Sequence, residues 1–306
     1  MKCGIVLRPF ALYQVSTVDE ASEVLAREGG DAVPYAGGTE ILLVLKQGLL
    51  RVGSLVDVKR IPGLSEIRAD DGHLTIGATA THRAVERSDL VRERCPLVAG
   101  VARHVANIRV RSVGTVGGNL AFADPHSDLA TLFLAFDGVV RLGSRSGERE
   151  LPLDQFVQGP YETARADDEI LTSVRLTPWP AGTSGAYVKF GVYERPTLAV
   201  AVALTRDGDD LVTGARLAVG CVTPRPRRFP AAEERLVGLT VAEASHHADE
   251  IAMLAAADVE PLGDLHGSAE YKREMVRVFV RRIVKIAAAR AEGREPDERH
   301  PHTIVV

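Results

Sequence analysis

Two segments built on adjacent glycines constrain this chain more than anything else in its sequence: Pro34-Tyr35-Ala36-Gly37-Gly38-Thr39-Glu40-Ile41 and Thr115-Val116-Gly117-Gly118-Asn119. Each leaves an apolar, strand-like run. Adjacent glycines adopt positive φ without steric penalty, so successive backbone N–H groups can turn into one concavity that holds phosphate oxygens without Lys or Arg. A helix starting at Thr39 would add the positive end of its dipole to the same place. Two such turns are able to grip one ligand from two sides, although a Gly-Gly pair alone also makes a plain turn.

The pattern around these segments alternates short apolar strands with amphipathic helices. Thr17-Val18-Asp19-Glu20 reads as a capping box for a helix with Ala21, Val24 and Leu25 on one face. Strands are expected over 32–35, 55–58, 74–78 and 170–176, and helices over 83–86, 96–105 and 127–136, with a polar hairpin over 139–153. Thr177-Pro178-Trp179-Pro180-Ala181-Gly182-Thr183-Ser184-Gly185 breaks regular structure and marks a domain boundary. Three strands follow, over 187–193, 198–205 and 211–222, the last two joined by a turn at Asp207-Gly208. A long helix over 268–291 carries Met275, Phe279, Ile283 and Ile286 as one stripe. The expected fold class is α+β: a first domain of two α+β lobes over 1–178, a linker over 179–186, a small domain of a three-stranded sheet plus helices over 187–292, and a polar tail over 293–306.

Composition excludes several functions. Against 41 acidic residues stand 37 basic ones, a net charge of -4, which disfavours a nucleic-acid binder. No run approaches the roughly 18 apolar residues of a membrane span. The three cysteines, Cys3, Cys95 and Cys221, are scattered without a CxxC spacing, which fits a reducing cytoplasm and no iron-sulfur or zinc site in this chain. There is no GxGxxG after a strand, no GxxxxGK[ST], no HExxH and no GxSxG. His246-His247 and the pair His300 and His302 lack partners at ligand spacing and read as solvated residues. The final helix has about five more positive than negative charges, read as a solvated face or a subunit contact.

Taken in order and spacing, the glycine segments, Asp124-Pro125 and Asp128 downstream of the second, Glu169-Ile170-Leu171, Lys189 and the small C-terminal domain resemble the FAD-binding medium subunit of the molybdenum hydroxylases, as in carbon monoxide and xanthine dehydrogenases. The likeness covers nearly the whole chain. It implies an FAD-binding domain of the vanillyl-alcohol-oxidase/PCMH type, with FAD held noncovalently and no His as a covalent ligand. It implies that Pro34, Tyr35, Ala36, Gly37, Gly38, Thr39, Glu40 and Ile41 lie along the FAD pyrophosphate, and that Thr115, Val116, Gly117, Gly118 and Asn119 approach the cofactor. Asp128 is implied to hydrogen-bond the sugar or adenine end, helix capping being the competing role for Ser127 or Asp128. Val105, Leu171 and Lys189 align with FAD-contacting positions, the first two equally consistent with core packing.

A cation at Lys189 beside the flavin would stabilise its anionic reduced form. Many relatives carry an Asp shortly after this Lys, whereas Leu198 stands here; Tyr193 is a candidate cover for the ring. The resemblance implies an electron-transfer subunit without catalytic or metal-ligating residues of its own. It would take electrons from the [2Fe-2S] clusters of a small partner subunit, fed by a molybdenum-cofactor large subunit, and pass them to NAD+, oxygen or a quinone. The assembly would be a heterotrimer or a dimer of heterotrimers. The competing reading is a stand-alone FAD-dependent oxidoreductase with its own substrate, which would need a positioned acid or base beside the flavin; none stands out.

Overall fold

The computed structural model describes residues 7–191, 195–296 and 300–306. The first lobe is a three-stranded parallel sheet in which Ser54–Asp57 lies between Ala11–Gln14 and Ala32–Tyr35. The helix Val18–Glu28 packs on it through Ala21 and Leu25, both fully buried. Its cap differs in detail from a capping box: Thr17 accepts from the N–H of Glu20, but the Glu20 carboxylate reaches back to Ser16.

The second lobe is a five-stranded antiparallel sheet in the order Ile67–Asp70, His73–Gly77, Ile170–Leu176, Val139–Ser144, Gly147–Pro152. Ile170–Leu176 is its central strand and is buried along almost its whole length. Helices His82–Arg87, Asp89–Arg94, Pro96–Arg103, Ile108–Val113, Val116–Phe122 and Asp128–Leu134 cover it. Pro96 occupies the first turn of its helix, where its missing N–H leaves no hydrogen bond unmade.

The C-terminal sheet contains the three expected long strands, here Thr183–Phe190, Leu198–Arg206 and Val212–Gly220, and two short edge strands extend it. Arg227–Arg228 adds one edge and Thr303–Val305 the other. The stretch expected as a linker is thus strand from Thr183 onward, because Thr183, Ser184 and Gly185 pair with Thr205, Leu204 and Ala203. The polar tail likewise returns: its end pairs with Val188, Lys189 and Phe190, which gives the edge strand's backbone groups partners.

Both faces of this sheet are buried, and period-two alternation assigns them. Leu198, Val200, Val202 and Leu204 join the core with the long helix Ala269–Ala291. Ala199, Ala201 and Ala218 join the core of the second lobe. Small residues serve that face because the helix Asp128–Leu134 lies close: a methyl on Gly220 would overlap Thr131. The long helix is not simply a solvated basic face, since Lys272 is 1% exposed and its Nζ lies 2.7 Å from Asp264. Arg277, Arg281 and Arg290 also pair with acidic residues nearby.

Trp179 wedges the second lobe to the C-terminal sheet. Its ring stacks on Phe136 with centroids 4.3 Å apart, its Nε1 donates to the Ala135 carbonyl at 2.8 Å, and its far edge fills the space where Gly185 has no side chain. Trp179→Ala is expected to destabilise the protein by about 3 kcal/mol, read from urea unfolding by circular dichroism. A loss below about 0.5 kcal/mol, the range of surface substitutions, would contradict the wedge.

Candidate functional site

The strand Ala32–Tyr35 ends at the carboxyl edge of the parallel sheet, and the first glycine segment turns there. Gly38 has φ 71°, and a methyl on it would stand 2.7 Å from the Tyr35 ring, so a side chain is excluded by conformation and by space. Gly37 is not left-handed; its requirement is contact, because a methyl there would overlap the carbonyl oxygen of Val113. The helix that follows begins at Ile41 and runs only to Lys46, not from Thr39 as expected, with Glu40 at the cap position making no side-chain cap bond. The N–H groups of Gly37, Gly38, Thr39 and Glu40 have no acceptor among the described residues. These residues are all partly exposed, so a row of free donors faces accessible space.

The second glycine segment is built differently. It does not leave a strand; it follows the helix Ile108–Val113 and is itself the first turn of the helix Val116–Phe122, capped by Thr115. Its backbone donors are engaged: Val116 N–H bonds the Ala80 carbonyl at 2.9 Å, Gly117 N–H the Ala78 carbonyl at 2.8 Å, Gly118 N–H the Thr115 hydroxyl at 3.1 Å and Asn119 N–H the Thr115 carbonyl at 2.9 Å. Neither glycine has positive φ. Gly117 is required by packing on Ala78, whereas Gly118 is exposed, and a methyl there would stand 2.8 Å from the Thr115 hydroxyl that caps the helix. The expectation of two equivalent nests is therefore corrected to one nest and one bare helix turn. The two meet: Gly37 rests on Val113 and Gly114, and Thr39 approaches Gly114 from the same side.

Asn119 is tied to the next helix, its Oδ1 accepting from the Ser127 hydroxyl at 2.6 Å. Ser127 also caps that helix by accepting from Ala130 N–H, so the cap is Ser127 and not Asp128. The amide NH2 of Asn119 has no partner among the described residues.

Asp128 is buried and doubly held: Oδ1 accepts from the Tyr187 hydroxyl at 2.7 Å and Oδ2 from Lys189 Nζ at 2.8 Å. Lys189 donates a second bond to the His104 carbonyl at 2.7 Å. Burial, then the charge of Asp128, pushes the Tyr187 hydroxyl pKa up, so it stays a protonated donor. Lys189, expected as a cation beside the flavin, thus lies in a buried ion pair with Asp128, as expected of charges removed from water. Tyr187 was missed by the sequence reading, although its place two residues before Lys189 on one strand puts both side chains on one face.

Val105 is partly buried against the second-lobe core, and its carbonyl accepts from Arg111. Leu171 is a buried residue of the central strand. Leu198 is fully buried in the core of the C-terminal domain. Tyr193 lies outside the described residues. Arg195 was also missed; it joins Glu40 of the first glycine segment to Asp124 beyond the second.

A cavity of about 470 Å³ is lined by Phe10, Asp31, Lys46, Arg51 and Gly53, among others. It opens at the amino edge of the parallel sheet, away from the free donors, and ligands of such sheets bind at the carboxyl edge. Among the described residues no cluster of His, Cys, Asp and Glu could hold a metal ion, and no helix is long and apolar enough to cross a membrane.

With this geometry the chain matches two family models: the FAD binding domain in molybdopterin dehydrogenase over residues 8–179, and the CO dehydrogenase flavoprotein C-terminal domain over residues 193–287. It is 31% identical over 283 residues to the carbon monoxide dehydrogenase medium chain of Hydrogenophaga pseudoflava, covering 92% of this chain and 98% of that one. It is 31% identical to the nicotine 6-hydroxylase medium subunit of Paenarthrobacter nicotinovorans, over 90% of this chain and 96% of that one. A solved structure of the H. pseudoflava carbon monoxide dehydrogenase superposes with a TM-score of 0.89 at 32% identity, over 93% of this chain and 99% of that one.

His82, beside Gly114, is 3% exposed, and burial followed by the charge of Arg111 lowers its pKa from 6.5 to about 4. It stays neutral in the fold but protonates in the unfolded chain, so the stability it contributes is present above pH 6.5 and is lost as pH falls toward 4. A shift of this size corresponds to roughly 3 kcal/mol. Unfolding free energies measured from pH 7 to 4.5 are expected to fall less steeply in His82→Gln than in the wild type; parallel curves would contradict the assignment.

Proposed function

This chain belongs to the FAD-binding subunits of the molybdopterin-dependent dehydrogenases, and from that premise we propose that it is the electron-transfer subunit of a molybdenum hydroxylase complex. In this reading the FAD-binding domain spans 1–178 and the C-terminal domain 187–292. The observation that carries the reading is the row of free N–H groups from Gly37 to Glu40, pressed against Val113 and Gly114. That donor set fits a pyrophosphate: it offers several hydrogen bonds without a cationic side chain, at the carboxyl edge of a parallel sheet. A side chain at either glycine would fill the space or force the backbone out of shape.

The remaining residues have separable tasks. Pro34 and Tyr35 end the strand that aims the loop, and Ala36, Thr39 and Ile41 frame it. Gly117 lets the second segment seat on Ala78, while exposed Gly118 allows a ligand to lie flat on the helix turn and Asn119 offers its NH2. Asp128, Tyr187 and Lys189 form a neutral strut from the second lobe to the C-terminal sheet, which fixes the wall of the cleft. Val105 and Leu171 supply apolar surface. When bound, FAD accepts electrons singly and releases them as a pair, the chemistry needed between one-electron clusters and a two-electron acceptor.

The partners are a [2Fe-2S] small subunit and a molybdenum-cofactor large subunit, in a heterotrimer or its dimer, with an external acceptor such as NAD+, oxygen or a quinone. Support comes from the medium chains and subunits among the relatives, which this chain matches along almost their full length. A cytoplasmic setting is consistent with two buried free thiols, Cys95 and Cys221, whose pKa burial pushes up, that of Cys95 to about 12.

Gly118→Val places a branched side chain on the exposed turn. It is expected to lower the flavin released by acid from the purified protein at least about tenfold, a loss of about 1.4 kcal/mol in binding, with the circular dichroism spectrum retained. Stoichiometric iron and molybdenum copurifying with the untagged native complex are expected as well. Unchanged flavin in the folded variant would overturn the site, and FAD without metals or partner chains would favour the stand-alone oxidoreductase.

A further inference from the structure

Of the side chains from Ala36 to Ile41, only Glu40 makes a hydrogen bond among the described residues, and its partner is Arg195. Arg195 Nη2 lies 3.1 Å from Glu40 Oε2, and Nη1 contacts Asp124 Oδ2. Asp124 is 8% exposed, and its other oxygen accepts from the N–H of His126 at 2.9 Å and faces His126 Nδ1 at 3.0 Å. On the far side His126 Nε2 stands 3.9 Å from Asp264, which holds the buried Lys272 of the long helix. One chain of polar contacts therefore runs from the glycine loop, through Arg195, Asp124 and His126, to Asp264 and the long helix.

We propose that Arg195 is a positioning residue for the cofactor: its guanidinium bridges Glu40 to Asp124 and so holds the free N–H groups of the loop in place for the phosphates. This rests on the reading of that loop as the FAD pyrophosphate site. The argument is electrostatic as well as mechanical. The loop has no cation of its own, and Glu40 places a carboxylate beside a site meant for an anion. Burial and the neighbouring Asp124 raise the pKa of Glu40, while Arg195 opposes both. For Asp124, burial opposes ionisation, yet the His126 hydrogen bonds and Arg195 hold its pKa below the usual range. Arg195 thus offsets part of the negative charge of two carboxylates that would otherwise repel the ligand, and its planar, two-pronged guanidinium holds both at once in a fixed geometry.

The test uses the full chain loaded with FAD and follows the recovery of flavin fluorescence on dilution. Arg195→Met is expected to speed FAD dissociation about tenfold, equivalent to about 1.4 kcal/mol, with the circular dichroism spectrum of the FAD-free protein retained. Arg195→Lys is expected to recover part of the loss. The distinguishing variant is the double substitution Arg195→Met with Glu40→Gln: removing the stranded carboxylate should slow dissociation relative to Arg195→Met alone, which a purely structural role would not do. Dissociation within twofold of wild type in Arg195→Met, or a double variant no slower than the single one, would overturn the proposal. If Arg195→Met does not fold, Arg195→Lys alone and with Glu40→Gln carries the same comparison. Gly37→Val separates the two claims: flavin retained there sinks the loop reading itself, whereas flavin lost there but unaffected by Arg195 variants sinks only the role of Arg195.

Discussion

Gly37 has room for nothing larger than hydrogen, because the peptide between Val113 and Gly114 lies where its side chain would be. This contact joins the lobes at the point where the parallel sheet ends. It sets the first glycine loop against the end of one helix and the start of the next, and it leaves the loop's N–H groups nowhere to turn but outward. Free backbone donors are unfavourable inside a protein and unremarkable in water. On the partly exposed surface of this loop they are available to an anionic ligand, as the proposed function requires. The chemistry of the site thus follows from a packing constraint rather than from reactive side chains.

Several buried and half-buried charged residues follow a consistent rule. Asp128 and Lys189 neutralise each other and are satisfied by Tyr187 and His104; Glu40 and Asp124 share Arg195; Asp264 compensates Lys272. Buried ion pairs are weak sources of stability but costly to break, because the surviving charge is stranded. Here the Asp128–Lys189 and Glu40–Arg195–Asp124 contacts link the lobes to the C-terminal domain, so their main effect is to fix relative positions. The proposed function needs a cofactor held in one place, and such struts supply rigidity for that.

Much of this was legible in the sequence where local rules decide. The strands Ala32–Tyr35 and Ile170–Leu176 match their expected limits because apolar and β-branched runs are bounded by turn residues. The cap at Thr17 was marked by a hydroxyl residue ahead of periodic apolar positions. The second glycine segment misled because Gly-Gly favours turns over helices. Thr115 was the overlooked signal, a cap residue that converts the pair into a first helical turn packed on Ala78. The charge links were beyond local reading: Arg195 and Glu40 are 155 residues apart, and nothing in the composition of either neighbourhood pairs them. The returning edge strand at Thr303–Val305 is three residues long, too short for periodicity to register.

The central claim is that the first glycine loop, and not the second, receives the phosphates through its backbone. Hydrogen exchange of individual backbone amides with and without FAD tests it most directly. Gly37, Gly38 and Thr39, unprotected in the free protein, should slow strongly on loading, while Val116, Gly117 and Asn119, already hydrogen-bonded, should change little. Exchange at Gly37, Gly38 and Thr39 that is indifferent to FAD would contradict the account.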